Sequence, residues 1–469
     1  MSPDARPRKQ VHLAAHFPGV NNTTVWADPP AGRPTFPELS TPFEQGIPHS
    51  PAGGTSPGSS LGSQIDFASF VHLARTAERG RFDFFFLAEG LRLREHKGRI
   101  HDLDVLGRPE SLTVLNALAA VTERLGLAGT VSATFNEPYE LARRFASLDH
   151  LSGGRAAWNI VTTSDAFTGE NFRRGGYLDH ADRYTRAAEF LATARALWDS
   201  GPAGGPPRQV DHSGRHFAVR GEFGVARSPQ GHPVVIQAGD SAEGREFAAS
   251  AADVIFTRHS GPEAGRAFYA DVKRRLPAYG RRPEDLKIMP GVTFVLGDTL
   301  AEAQERAVEI RRQQVSPQTA LLTLEQVWGV DLSSYDPDGP LPDIDPDPHG
   351  ELAQGRVRIA DPQAVADRWR ALSRAKGLSI RETVIETTGR QSFVGTPDSV
   401  AREMDHFVQS DAADGFILVP HLTPDGLDPF VERVVPLLQE RGVHRTEYTG
   451  TTLRSHLGLP DPARPARKD

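Results

Sequence analysis

Gly239-Asp240-Ser241 follows a short apolar run at 233–237 and precedes a stretch with apolar residues at helical spacing. Serine is a favoured helix N-cap, and glycine lets a ligand approach the backbone closely. A helix N-terminus, with its unpaired N–H groups, binds phosphate. The triplet is therefore either a plain cap or the phosphate grip of a cofactor site, and the local sequence leaves both open. His180 and Tyr184 pose the same choice. They lie four apart at the start of a helical stretch, so they share one face. Both can donate a hydrogen bond, and together they could grip a phosphate. In the alternative the histidine sits on a solvated first turn and the tyrosine packs in the core. His16, Glu89, Thr130 and Asn159 are further polar residues at or near the ends of apolar runs.

Two carboxylates offer a competing chemistry. Thr134-Phe135-Asn136-Glu137-Pro138 resembles the acid/base motif of a family of retaining β-glycosidases, and Ile385-Glu386-Thr387-Thr388-Gly389 is loosely similar to their nucleophile motif. Such an enzyme needs a pair of carboxylates flanking the glycosidic bond. Pro138 also suits the first turn of a helix, where Glu137 would simply be favourable charge. Metal chemistry finds no comparable support. His96 and His101 flank Lys97 and Arg99, which suits a solvated loop better than a divalent cation, so no metal site is expected. No G-x-x-x-x-G-K-[ST] motif occurs, and no G-x-G-x-x-G follows the first strand at 11–17. A P-loop and a nicotinamide site of Rossmann type are thereby excluded.

The elements that must position these residues alternate. A helix at 65–79 stops at Gly80, a natural left-handed C′ residue. A nearly continuous apolar strand follows at 82–87 (FDFFFL). The same order recurs: helix 111–124, strand 127–132, helix 138–150, strand 156–161, helix 182–198, strand 233–237, helix 242–251, strand 253–257. Near the end come helix 397–409, strand 414–419 and a last helix at 427–440. Strands apolar on both faces belong in a parallel sheet covered by helices, and repeated βα units of this number favour a closed (β/α) barrel. Active sites of such barrels lie where strands end, which is where the polar residues above fall. Residues 29–63, crowded with Pro, Gly and Ser, and 331–361, rich in Asp and Pro, read as long loops.

The chain has 469 residues, no cysteine, and 53 basic against 60 acidic side chains, a formal net charge of −7. Nucleic acid is an improbable partner for such a surface. Disulfides, zinc-thiolate and iron–sulfur sites are excluded. No stretch approaches the ~18 apolar residues of a membrane span, and the N-terminus lacks a signal-peptide core. A cytoplasmic protein that needs no membrane is expected.

Five segments then appear in order: HLARTAERGRFDFFFLAEGL (72–91), VTERLGLAGTVSATFNEPYELARRFASLDHLSGGRAAWNIVT (121–162), RSPQGHPVVIQAGDS (227–241), AADGFIL (412–418), and VVPLLQERGVHRTEYTGTTLRSHLGL, which opens at Val434. Together they resemble the bacterial-luciferase-like FMN-dependent monooxygenases, in the branch of nitrilotriacetate, dibenzothiophene-sulfone and dimethyl-sulfide monooxygenases. The resemblance implies an α/β fold, a (β/α)8 TIM barrel of luciferase-like type. It implies one flavin-binding barrel over 1–458, with loop insertions near 29–63, 259–285 and 310–360 and a C-terminal tail at 459–469. It implies reduced FMN (FMNH2) delivered by a separate NAD(P)H:flavin reductase. O2 then yields a flavin C4a-(hydro)peroxide that oxygenates a small organic substrate, an organosulfur compound or an amine. Glu89 stands where relatives carry Asp and would face the isoalloxazine or ribityl region. Thr130 would hydrogen-bond the flavin. His180 and Tyr184 match the family's H-x-x-x-Y pair and Ser241 the serine of Q-A-G-x-S; these three would hold the phosphate. Asn159 lies in W-N-x-V-T and His16 replaces a Phe of some relatives. No catalytic acid or base is implied, because the oxidant is the flavin. A homodimer or homotetramer is implied, and a flavin- or deazaflavin-dependent reductase on the same barrel is the alternative.

Overall fold

The computed structural model describes residues 8–17, 25–26, 66–89, 91, 109–162, 180–202, 206–259, 261–350, 352, 361–388 and 392–462. Eight parallel strands close on themselves: β1 (His12–Phe17), β2 (Phe84–Leu87), β3 (Gly126–Ser132), β4 (Ala156–Val161), β5 (Val234–Gln237), β6 (Val254–Thr257), β7 (Lys287–Leu296) and β8 (Gly415–Leu418). Each pairs with the next in the chain, and β8 returns to β1 in register His12–Gly415. A short strand at Ser392–Gly395 adds to the outer part of β7. The result is the expected (β/α)8 barrel.

Alternation along each strand divides the apolar residues between two cores. Ala14, Phe84, Phe86, Ala128, Ala157, Ile236, Val254, Met289 and Ile417 fill the bore. Their outward neighbours, among them Leu13, Phe85, Leu127, Trp158, Val235, Ile255 and Phe416, pack beneath the helices. Small residues on β1, β3 and β4 leave room for the two phenylalanines of β2, so the bore is filled rather than open. Leu453, Leu457 and Leu459, from the C-terminal segment, plug its closed end. Gly126 is required there, because a Cβ would meet Leu453 Cδ1 at 2.6 Å.

The covering helices are α1 (Phe67–Arg79), α2 (Ser111–Ala119), α3 (Pro138–Leu151), α4 (His180–Ser200), α5 (Ala242–Ala251) and α6 (Pro262–Arg275). Most bounds lie within two residues of the sequence expectation, while α2 ends five residues early. Gly80 does not adopt a left-handed conformation: its φ is −75°, and the positive φ falls on Arg81. Glycine is needed at 80 for space, since a Cβ would lie 2.9 Å from both Phe82 and Val431.

The chain beyond β6 departs from expectation in three places. Residues 259–285, expected as an inserted loop, hold α6 and two short 3-10 turns. β7 carries no periodicity that reveals it, because Pro290 and Gly291 interrupt its apolar run; Gly291 accommodates the Phe256 ring, which a Cβ would meet at 2.7 Å. The first part of 310–360, up to Trp328, is helix rather than loop. After α7 (Leu300–Gln314) come α8 (Pro317–Trp328), α9 (Pro362–Lys376) and α10 (Ile380–Thr387). They bury a separate core of Leu324, Trp328, Leu332, Trp369, Ile380 and Val384. Of the Asp/Pro-rich stretch, residues 331–350 run as turns and irregular chain against this core, with Leu332 fully buried. α11 (Pro397–Gln409) then leads to β8, and the last expected helix is split into α12 (Asp428–Arg433) and α13 (Val435–Glu440). Residues 29–63 and 463–469 lie outside the described residues.

At the closed end, three of the four even-numbered strands are preceded by an aspartate, buried at 83 and 253 and largely buried at 414. Asp83 accepts from Leu13 N (3.0 Å), Asp253 from Val235 N (2.9 Å) and Asp414 from Ile288 N (2.8 Å), so each carboxylate ties its strand to a neighbouring one. Each also holds a cation: Arg445 at 2.6 Å, Arg454 at 3.1 Å and Lys273 at 2.9 Å respectively. Before β4 the position is Arg155, whose guanidinium donates to the carbonyls of Ala119, Thr122, Leu125 and Ser152.

Candidate active site at the barrel mouth

β5 ends at Gln237, and Gly239 and Asp240 carry the chain to α5, with Ser241 at its N-cap. Ser241 Oγ accepts from Gly244 N at 3.1 Å. The first intrahelical donor is Arg245 N, to Ser241 O, so the N–H groups of Ala242 and Glu243 precede the helical ladder. A hydroxyl that accepts this bond keeps its own proton to donate, so capping and anion binding are compatible roles. Gly239 and Gly244 face each other: a Cβ on Gly244 would lie 3.1 Å from Gly239 Cα and 3.0 Å from Tyr184 Oη. Tyr184, half-buried on the second turn of α4 with its ring 6.1 Å from Phe247, thus brings its hydroxyl to the N-terminus of α5. The structure brings Tyr184 and Ser241 together at the N-terminus of α5, where two glycines allow the loop, the helix and the tyrosine hydroxyl to approach closely. His180 is the first residue of α4; its side chain lies outside the described residues.

Asp240 turns sideways, accepting from Thr257 Oγ1 of β6 at 2.6 Å. Its carbonyl accepts from Arg245 Nε at 3.0 Å. Buried His259 packs on Phe268 nearby; burial lowers its pKa, against the opposing pull of Asp240.

The inner wall carries the second group. Thr130 and Asn159, 3% exposed each, are paired in register on β3 and β4, and Asn159 Nδ2 donates to Thr130 Oγ1 at 2.9 Å. His16, also buried, stacks on Phe86 (5.3 Å between centroids), which stacks on Phe256 (5.6 Å). An aromatic floor therefore lies below the polar residues. Glu89 is half-buried two residues beyond β2. Two side chains of this end went unforeseen. His421, three residues past β8, lies 3.1 Å through Nδ1 from Gln314 Nε2 at the end of α7, and both are buried. The strand-end rule applied to β8 would have flagged His421; Gln314 depended on a helix that was not foreseen.

The glycosidase pair is not assembled at the strand ends. Glu137 is exposed at the N-cap of α3, and Glu386 sits on α10, exposed and paired with Lys376. His96 and His101 lie outside the described residues. Elsewhere, His72, Asp425 and Asp428 each bring a ligand-type atom within 4.8 Å of the others, but Asp428 also accepts from Thr76 and Arg79, which occupies it as an ion-pair partner. No helix among the described residues is long and apolar enough to cross a membrane.

The family model of the luciferase-like monooxygenases matches residues 43–414. The chain belongs to this family. Component A of nitrilotriacetate monooxygenase from Aminobacter aminovorans is 41% identical over 423 residues, covering 85% of this chain and 91% of that protein. The N-acetyl-S-(2-succino)cysteine monooxygenase of Bacillus subtilis (strain 168) is 40% identical over 438 residues, covering 90% and 96%. Among solved structures, EDTA monooxygenase from Chelativorans sp. BNC1 superposes with a TM-score of 0.71 at 28% identity, covering 97% of this chain and 99% of that one. This luciferase-like monooxygenase is therefore an enzyme of a flavin-dependent oxidoreductase family, and its barrel mouth is the part of the fold where such barrels do their chemistry.

Proposed function

We propose that this luciferase-like monooxygenase is the oxygenating component of a two-component system using FMNH2 and O2 on a small organosulfur compound or amine. The net reaction is substrate + O2 + FMNH2 → oxygenated substrate + H2O + FMN. The observation that carries this reading is the N-terminus of α5, where the Tyr184 hydroxyl, the Ser241 cap and two facing glycines converge. Its donors fit the phosphate of FMN, and the buried Asn159 Oδ1 on the bore wall, without a hydrogen-bond partner among the described residues, fits a polar ring edge.

Tyr184 and Ser241, with His180, would hold the phosphate. Thr130 and Glu89 would face the ring and ribityl chain. Reduced FMN would supply the electrons that let O2 transfer one oxygen atom and leave the other as water. The protein's share is to orient that ring and keep water out: the Phe86–Phe256 stack closes the bore beneath it. The two similar enzymes named for nitrilotriacetate and N-acetyl-S-(2-succino)cysteine support an amine or a thioether as substrate class. A separate NAD(P)H:flavin reductase would deliver FMNH2 in the cytoplasm, to a homodimer or homotetramer.

The test is an anaerobic titration with oxidised and with reduced FMN, followed by a pulse of O2. Binding that favours the reduced form, with O2 consumed as the flavin reoxidises on the protein, is the expected result. Failure to bind either form overturns the proposal; binding and reduction of a substrate without O2 uptake would move the chain to the reductases.

A further inference from the structure

The Thr130–Asn159 pair is asymmetric in a way that matters for a bound ring. Both side chains share the inward face with Ala128 and Ala157. Because Asn159 Nδ2 donates to Thr130 Oγ1, the amide oxygen points away from Thr130. Oδ1 is buried and has no hydrogen-bond partner among the described residues. Thr130, accepting from Asn159, keeps its hydroxyl proton to give. On the other side Asn159 is registered with Ile236 of β5, which offers no polar atom. Across three strands the wall therefore reads donor, acceptor, apolar.

That order matches one edge of a flavin and no other. The C4 carbonyl accepts, N5 donates when it carries hydrogen, and the benzenoid portion beyond is apolar. The N3 edge fits poorly, because its N–H lies between two carbonyls and calls for a donor on each side. N5 carries hydrogen only in the reduced ring; in the oxidised ring it presents a lone pair, which Oδ1 would repel. Building on the flavin reading above, we propose that Asn159 selects the reduced cofactor, its Oδ1 accepting the N5–H while Thr130 donates to the C4 carbonyl. Asn159 is then a specificity-determining residue for redox state, and it lets the enzyme take FMNH2 from a reductase and release FMN after turnover.

The experiment measures anaerobic dissociation constants of oxidised and reduced FMN, and the midpoint potential of the bound flavin, for the wild type and for Asn159→Ala. The ratio of the two constants should fall about tenfold, the size of one lost hydrogen bond, with the whole loss on the reduced form. The bound potential should drop by about 30 mV, the two-electron equivalent of tenfold. Thr130→Val should weaken both forms alike, because the C4 carbonyl is present in each. A separate arm uses the wild type with 5-deaza-FMN, whose reduced form carries CH2 where FMN has N5–H. Its preference for the reduced state should be about tenfold smaller than that for FMN, a result that stands even if Asn159→Ala fails to fold. Equal losses on both redox forms of FMN would make Asn159 a mere positioner of Thr130 and overturn the proposal. So would a loss confined to oxidised FMN, which would turn the NH2 toward the ring. If the wild type binds neither form of FMN, it is the flavin reading itself that fails, and that is seen before any variant is made.

Discussion

The closed end and the mouth of the barrel both bury polar side chains, but to opposite effect. At the closed end every aspartate of the Asp83, Asp253 and Asp414 set accepts a backbone N–H from the neighbouring strand and faces an arginine or lysine. Burial pushes the Asp83 carboxyl up, but the charges of Arg445 and His12 outweigh it and hold the group well below the usual range. Asp253 and Asp414 are also lowered against burial, by Arg454 and Lys273. These charges are paired and hydrogen-bonded, as a buried charge must be. At the mouth, Asn159 Oδ1 and Gln237 Oε1 are buried with no partner among the described residues. The closed end leaves Arg454 Nε and His456 Nδ1 over as well, so the difference lies in charge: paired ions tie the sheet together there, while the mouth leaves uncharged acceptors over.

If that contrast is right, acid should act on the closed end first, and with the largest effect. The three carboxylates have folded-state pKa values below the ordinary 3.8. Their contribution is therefore complete above that value and is lost as pH falls through the lowered ones. Circular dichroism should show a stability plateau above about pH 5 and cooperative unfolding below about pH 4. Next in size, Asp253→Asn leaves Arg454 buried and unbalanced. It should cost about 3–5 kcal/mol in urea unfolding, while the protein that remains folded binds FMN normally.

The mouth should respond the other way. Tyr184→Phe combined with Ser241→Ala should raise the dissociation constant for FMN about 100-fold, two lost hydrogen bonds to a charged group. Its stability should fall by only about 1 kcal/mol, the value of the cap, a split that calorimetric titration and denaturant melts would separate. Smallest of all, Asn159→Ala removes a group whose acceptor is unsatisfied, so its unfolding free energy should change by less than about 1 kcal/mol. A loss as large as that of Asp253→Asn would erase the distinction between the two ends.

Much of this was legible before any coordinates. Two-faced apolar strands and amphipathic helices announce a barrel because those patterns are local consequences of burial. Strand ends at 130, 159 and 239 pointed to the polar residues of the mouth for the same reason. What escaped was what depends on partners distant in sequence. β7 was hidden because Pro290 and Gly291 are tolerated only by the parallel neighbours and the Phe256 ring that meet them. α8 to α10 escaped because they are stabilised against one another around Trp328 and Trp369, a core no local pattern reveals. Glu386, named for a loose similarity to a glycosidase nucleophile motif, lies exposed on α10 beside that core. The sequence determined the order of elements and the residue types at their ends. Only the tertiary structure decided that the Tyr184 hydroxyl meets Gly244, and that Asn159 donates to Thr130 and leaves its oxygen over, because those contacts join strands and helices that share no local pattern.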